Sequence, residues 1–204
     1  MTSIESVTLE VPDPAGAEAF YAAAFGLGGQ VRIRASDEPT AGFRGFTLSL
    51  VVSQPSTVDS LIGTALVGGA TTLKPASKGF WGYGGVIRDP GGAIWKVATS
   101  SKKDTGQASR KIDDFVLLLG VGNVKAAKRF YLDRGLAVAK SFGSRYVEFD
   151  TPSSPIKLAL YSRRAAAKDA GVSPDGTGSH RIVVRSDAGS FTDPDGFAWE
   201  AAPL

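Results

Sequence analysis

The chain has no cysteine among its 204 residues, and only one histidine and one methionine. The lack of cysteine removes disulfides, thiolate zinc sites and cysteine nucleophiles together. It also fits a reducing compartment, since small secreted domains commonly draw on cysteine pairs. No apolar run approaches the ~18 residues of a transmembrane helix, so no membrane association is expected. The opening Met1-Thr2-Ser3-Ile4-Glu5-Ser6 has no basic stretch followed by an apolar one, and a cytoplasmic location is expected. Long basic runs are missing as well. Ser101-Lys102-Lys103-Asp104 and Tyr161-Ser162-Arg163-Arg164 are the densest spots, and both read as solvated segments. With 23 basic and 20 acidic residues the net charge is only +3, so nucleic acid is not an expected partner. What remains is 43% apolar residues, a globular proportion and enough to build a core in each half of the chain.

The positive signal is an internal repeat. Ile4-Glu5-Ser6-Val7-Thr8-Leu9-Glu10-Val11 answers Ile112-Asp113-Asp114-Phe115-Val116-Leu117-Leu118-Leu119. Phe20-Tyr21 with Phe25-Gly26-Leu27 answers Phe130-Tyr131 with Arg134-Gly135-Leu136. Asp89-Pro90-Gly91-Gly92-Ala93-Ile94-Trp95-Lys96 answers Asp193-Pro194-Asp195-Gly196-Phe197-Ala198-Trp199-Glu200. Three blocks recur in one order, 104 to 110 residues apart. Each copy reads as a short strand, an Ala-rich helix (14–25 and 123–134) stopped by glycine, and a closing hairpin turned by Asp-Pro and glycine. The polar stretch 99–107 reads as the linker, which sets domains at 1–100 and 110–204.

This series, present twice, resembles the vicinal oxygen chelate superfamily of glyoxalase I, bleomycin-resistance proteins and extradiol dioxygenases. The resemblance implies an α+β fold: tandem glyoxalase-like domains of βαβββ modules, with curved mixed sheets forming cups for small molecules. Single-domain members pair to complete their cups. A tandem chain can do so internally, which favours a monomer over a homodimer.

Both copies are trimmed relative to that pattern. In the first, Tyr21 to Phe46 is too short for the strands that finish a first module. The following module reads as complete, with a strand at 45–52, a helix at 56–67, a strand near 70–75 and the hairpin. In the second, there is room for strands at 145–150 and 155–161 and a helix at 163–170, but none for a crossover helix between His180 and Asp193. A lost helix bares apolar surface, so the two halves are expected to pack closely and cover one another.

The resemblance also implies where metal ligands would sit. The first copy offers Ser6, Phe46 and Lys96 there, which cannot hold a divalent cation, so domain 1 is expected to lack metal. The second offers Asp114, Lys157, His180 and Glu200. Asp114, His180 and Glu200 are candidate ligands for one Fe, Mn, Ni or Zn ion, and His180 is the only imidazole available. The competing reading makes His180 a hydrogen-bonded structural residue and lets Lys157 neutralise the carboxylates directly. That reading leads, so no cofactor is expected, and the expected function is binding or sequestration of a small organic molecule. The alternative is a metal-dependent lyase, isomerase or dioxygenase, and a third reading is a partner-binding module. Candidate ligand-binding residues are Trp81 and Tyr83 in the glycine-rich stretch 80–85, read as a flexible loop at a cup rim, with Tyr146, Tyr161 and Lys157. Trp95 and Trp199 are expected in the core.

Overall fold

The two copies do not build one sheet each. In the computed structural model, which describes residues 2–202, the first copy begins with β1 (Ile4–Val11), α1 (Pro14–Ala24), β2 (Val31–Ala35) and β3 (Thr40–Gly42). It continues with β4 (Phe46–Val51), α2 (Pro55–Val67), β5 (Thr71–Gly79), β6 (Gly82–Arg88) and β7 (Ile94–Thr99). The second copy begins with β8 (Asp114–Val121), α3 (Val124–Leu132), β9 (Ala137–Phe142), β10 (Tyr146–Asp150), β11 (Lys157–Ser162) and α4 (Arg163–Ala170). It ends with β12 (Gly176–Gly178), β13 (Ile182–Ser186), β14 (Phe191–Thr192) and β15 (Ala198–Ala201). No described helix is long and apolar enough to cross a membrane.

An eight-stranded sheet runs β5-β6-β7-β4-β8-β11-β10-β9. At its centre β4 lies antiparallel to β8, with Leu48 opposite Leu117 and Leu50 opposite Phe115, so the seam joins the two halves. A five-stranded sheet runs β14-β15-β13-β1-β2, and its central pair, β1 with β13, again joins the halves. The chain thus forms four modules, two whole and two trimmed. The whole second and third modules share one sheet, and the trimmed first and fourth share the other. The repeat boundary at 100–110 is a feature of the sequence that both sheets pair across.

The helices follow their local signals. Asp13 caps α1 by accepting from the Gly16 N–H at 3.1 Å, and Pro14 fits the first turn, where no N–H is needed. Asn123 caps α3 in the same way. Between β13 and β14 there is no helix, as the short spacing required. One departure concerns residues 79–83. Gly79 pairs with Gly82, making Phe80-Trp81 the tip of a tight hairpin rather than a loose loop. Gly82 has a φ of 139°, and a Cβ there would meet Thr99 O at 1.9 Å, so the tip packs directly on β7.

One continuous core runs through both sheets and helices α1, α2 and α3. Trp95 and Trp199 are both buried in it. Within that core the repeat motifs meet. The Tyr21 hydroxyl of α1 donates to Asp89 Oδ2 at 2.5 Å, and Trp95 Nε1 donates to the same oxygen at 2.8 Å. In the second copy the Tyr131 hydroxyl of α3 donates to Asp193 Oδ2 at 2.6 Å. Burial pushes both carboxyls above the usual range, and these donors pull the other way.

Two outcomes follow from this architecture. Because each sheet spans both halves, thermal unfolding of the full chain is expected as one cooperative transition by calorimetry, whereas two separate transitions would contradict the shared core. Tyr21→Phe and Tyr131→Phe should each lower stability in urea by about 1–3 kcal/mol, the cost of removing one donor from a buried carboxylate.

Candidate functional site

Strand alternation assigns each side chain of the eight-stranded sheet to one face. On β8, Phe115, Leu117, Leu119 and Val121 face the main core, leaving Asp114, Val116, Leu118 and Gly120 on the opposite face. Cross-strand pairing extends that second face. Lys96 on β7 is opposite Ser49 on β4, Ser49 opposite Val116, and Val116 opposite Lys157 on β11. A lysine therefore stands at each end of one row across the four central strands, roughly 14 Å apart at strand spacing.

Helix α4 lies against this face. Ala166, Ala167 and Ala170 are buried in a second apolar cluster with Phe43, Val86, Ile94, Leu118 and Ala159. Small residues permit the approach: a Cβ at Gly120 would meet Ala166 Cβ at 3.1 Å. Two lysines hold the helix end. Lys74 Nζ donates to the carbonyls of Lys168 and Asp169, each at 2.7 Å, where the helix dipole favours a cation. Lys96 Nζ lies 2.7 Å from Asp169 Oδ2. The protein's own helix thus fills part of the face that a cup would offer to a ligand.

Beyond α4, Lys157 Nζ lies 2.6 Å from Asp114 Oδ1, with the two side chains 39% and 37% exposed. A pair that open contributes about 0–1 kcal/mol to stability. Beside it opens a pocket of about 440 Å³ between the end of α1, the linker and the heads of β8 and β11. Phe25, Leu27 and Phe115, themselves buried, and the half-buried Ile112 give it a small apolar patch in a mostly polar lining. Arg110 and Asp113 add polar edges; Arg110 itself is anchored to the carbonyls of Ala23 and Ala24. Arg110 carried no sequence signal, and Phe25 was legible only as part of the repeat, because the packing of the two halves is what brings the end of α1 to Asp114.

The aromatic candidates divide. Tyr146 and Tyr161 pack edge to face at 5.1 Å on the same face as Lys157, but at the opposite end of β11, four residues away. Burial raises the Tyr146 hydroxyl pKa, and Glu148, which accepts its proton at 3.0 Å, raises it further. Tyr83 sits on the other face of β6, where its hydroxyl donates to Asp59 at 2.8 Å. Trp81 is 86% exposed at the hairpin tip.

Asp114, His180 and Glu200 are not brought together. Asp114 belongs to the eight-stranded sheet and Glu200, on β15, to the five-stranded one. Glu200 is held by Arg34 at 2.8 Å and Arg185 at 3.3 Å. His180 stacks on Phe197 at 4.0 Å, and its two ring nitrogens contact the backbone carbonyls of Arg44 and Asp195. Among the described residues no group of three or more His, Asp or Glu side chains is arranged to hold a metal ion. The donors do not fit a metal because the ligand set was drawn from one half, while each sheet takes strands from both. Lys157 does neutralise Asp114 directly, as the competing reading had it.

No family profile and no curated protein matches the sequence. Solved structures do match. Glyoxalase I from Zea mays aligns at 13% identity and a TM-score of 0.63, over 98% of this chain and 92% of that one. A proposed dioxygenase from Bacillus subtilis aligns at 12% identity and a TM-score of 0.61, over 98% of this chain and 84% of that one. The fold is therefore that of the vicinal oxygen chelate proteins, α+β with curved mixed sheets built from βαβββ modules.

Glu200 gives a pH test of the five-stranded sheet. Its hydrogen bond from Arg34, joined by Arg185, holds its carboxyl below the ordinary 4.5. A depressed carboxyl stabilises the fold above the unfolded value and loses that contribution as pH falls through the folded one. Arg34→Met should therefore cost up to about 1 kcal/mol near neutrality, given the exposure of the pair, and the gap to wild type in urea unfolding should shrink in acid.

Proposed function

We propose that the protein binds a compact, partly apolar molecule with an anionic head at the pocket beside Asp114 and Lys157, without a metal ion. The observation that carries this reading is the lysine–aspartate pair, about a third exposed, at the edge of a 440 Å³ pocket with a small apolar patch. A pocket of that size has room for a small organic ligand, and its mostly polar open surface suits a charged head. An incoming oxyanion can take Lys157 and release Asp114 to water, keeping the ammonium paired throughout. Both sheet seams are closed within one chain, which supports a monomer as the binding unit.

The neighbours described as glyoxalase I and a proposed dioxygenase raise a metal-dependent lyase, isomerase or dioxygenase as the competing reading. In this chain the candidate ligands lie on separate sheets, and Glu200 and Asp114 are each already engaged by cations. A binding role of the sequestration type agrees better with that arrangement.

Elemental analysis of untagged protein purified without chelator, then incubated with Fe(II), Mn(II), Ni(II) and Zn(II), should find no stoichiometric metal. About one ion per chain, lost in His180→Ala, would defeat the reading. In parallel, a thermal-shift screen of small carboxylates should yield ligands whose stabilisation of wild type is lost in Lys157→Met. Ligands that stabilise the variant equally would move the site elsewhere.

A further inference from the structure

We infer that the first half carries a second small-molecule site, a cleft of about 320 Å³ between the β1–α1 turn and the Asp89-Pro90-Gly91 turn, suited to a compact aromatic or alicyclic amine. It shares no lining residue with the pocket beside Lys157. The internal repeat supplies the control. In the second half the corresponding turns are bridged, with the Gly122 N–H donating to Asp195 Oδ1 at 2.6 Å. The matching residues in the first half are Pro12 and Gly91. Proline has no N–H to give, and glycine has no carboxylate to receive it. The bridge is thus removed from both sides at once.

The turns themselves are otherwise alike. Gly92 and Gly196 have φ of 90° and 89°, and their N–H groups donate to Asp89 O and Asp193 O, each at 3.0 Å. The opening therefore comes from the two substituted side chains rather than from a different turn. Glycine also keeps the space clear, since a Cβ at Gly91 would approach Val11 Cγ1 to 2.9 Å. The C-terminal end of α2 adds a wall at Gly68, and the second half has no counterpart of that helix.

The lining sets the ligand class. Val11, Pro12, Phe20 and Pro90 form apolar sides. At the floor, Asp89 is already engaged by Tyr21, Trp95 and the Ala93 N–H, so it offers a ligand no free charge. At the mouth the Asp13 carboxylate accepts only from Gly16 among the described residues and remains exposed, so it can take an ammonium. A dry apolar cavity of ~150 Å³ holds a benzene ring, so this cleft has room for a ring with a short amine arm.

The test is a ¹⁵N-detected NMR titration of the full chain with 2-phenylethylamine. Saturable shifts are expected at the amides of Gly16, Gly68 and Gly91 and not at Gly122 or Asp195. The double substitution Pro12→Gly with Gly91→Asp, which recreates the bridge of the second half, should weaken binding about tenfold or more. Ala17→Leu, which fills the cleft from α1, should do the same if the double variant does not fold. Phenylacetate, which lacks the ammonium, should bind more weakly than the amine. Absence of saturable shifts in wild type, or unchanged affinity in a folded, cleft-filling variant, would overturn the assignment.

Discussion

A buried carboxylate has to be hydrogen-bonded on every side or it destabilises whatever surrounds it. This chain meets that demand twice, each time with a helix tyrosine and backbone N–H groups of the turn, joined at Asp89 by Trp95. Tyr21 reaches from α1 of the first module to Asp89, in the closing turn of the second. Tyr131 reaches from α3 of the third module to Asp193, in the closing turn of the fourth. The sheet seams supply the other two joints, β4 with β8 and β13 with β1. The four modules are thereby tied in a closed ring: first to second by a hydrogen bond, second to third by a seam, third to fourth by a hydrogen bond, fourth to first by a seam. Every joint but the β13–β1 seam involves a whole module, and each module is held twice.

That closure explains how the trimmed modules stay folded. The first lacks its later strands and the fourth its helix, and neither would bury enough apolar surface alone. Together they make five strands with one face in the common core, where Phe191 stacks on Trp199 and Phe130 packs on Phe191. The other face needs no helix because it is not apolar. Arg34 lies between Glu10 and Glu200, Arg185 pairs with Glu200, and Arg32 pairs with Glu5. Opposite the face of Val7, Leu9, Ile182 and Val184, these charged side chains share the second face with the buried Ser6, Thr8 and Val183, so that face is polar at its rim and only partly wet.

Much of this is legible in the sequence. The Phe-Tyr and Asp-Pro-Gly blocks are visible because a helix stripe and a tight turn each leave a compact local signature, and α4 was legible at 163–170 from its spacing and alanines. The missing crossover helix was legible as a length. What could not be read was which strand pairs with which. A strand such as Asp114–Val121 carries its alternation but not the identity of its neighbour, and β4 is a partner more than 60 residues away across the linker. The Asp114, His180, Glu200 set failed for that reason: the residues were grouped by sequence half. Tyr83 was read in a flexible loop at a cup rim, whereas it lies in β6 on the face away from α4, which carries Gly84 and Val86 instead.

The row from Lys96 through Ser49 and Val116 to Lys157 then bears on what the site can bind. Each terminal ammonium already has a carboxylate, Asp169 for one and Asp114 for the other. A divalent cation at either end would have to break that pair to reach the carboxylate and would then lie beside the freed ammonium. An anion faces the opposite balance, because it replaces an acid at a lysine that stays paired while the released acid returns to solvent. The two pairs are about equally exposed, but Lys157 borders the pocket, whereas the partner of Lys96 sits on α4, whose end Lys74 also holds. One lysine thus fastens the helix that covers this face, and the other stands at the sheet's edge beside a pocket that opens toward the end of α1.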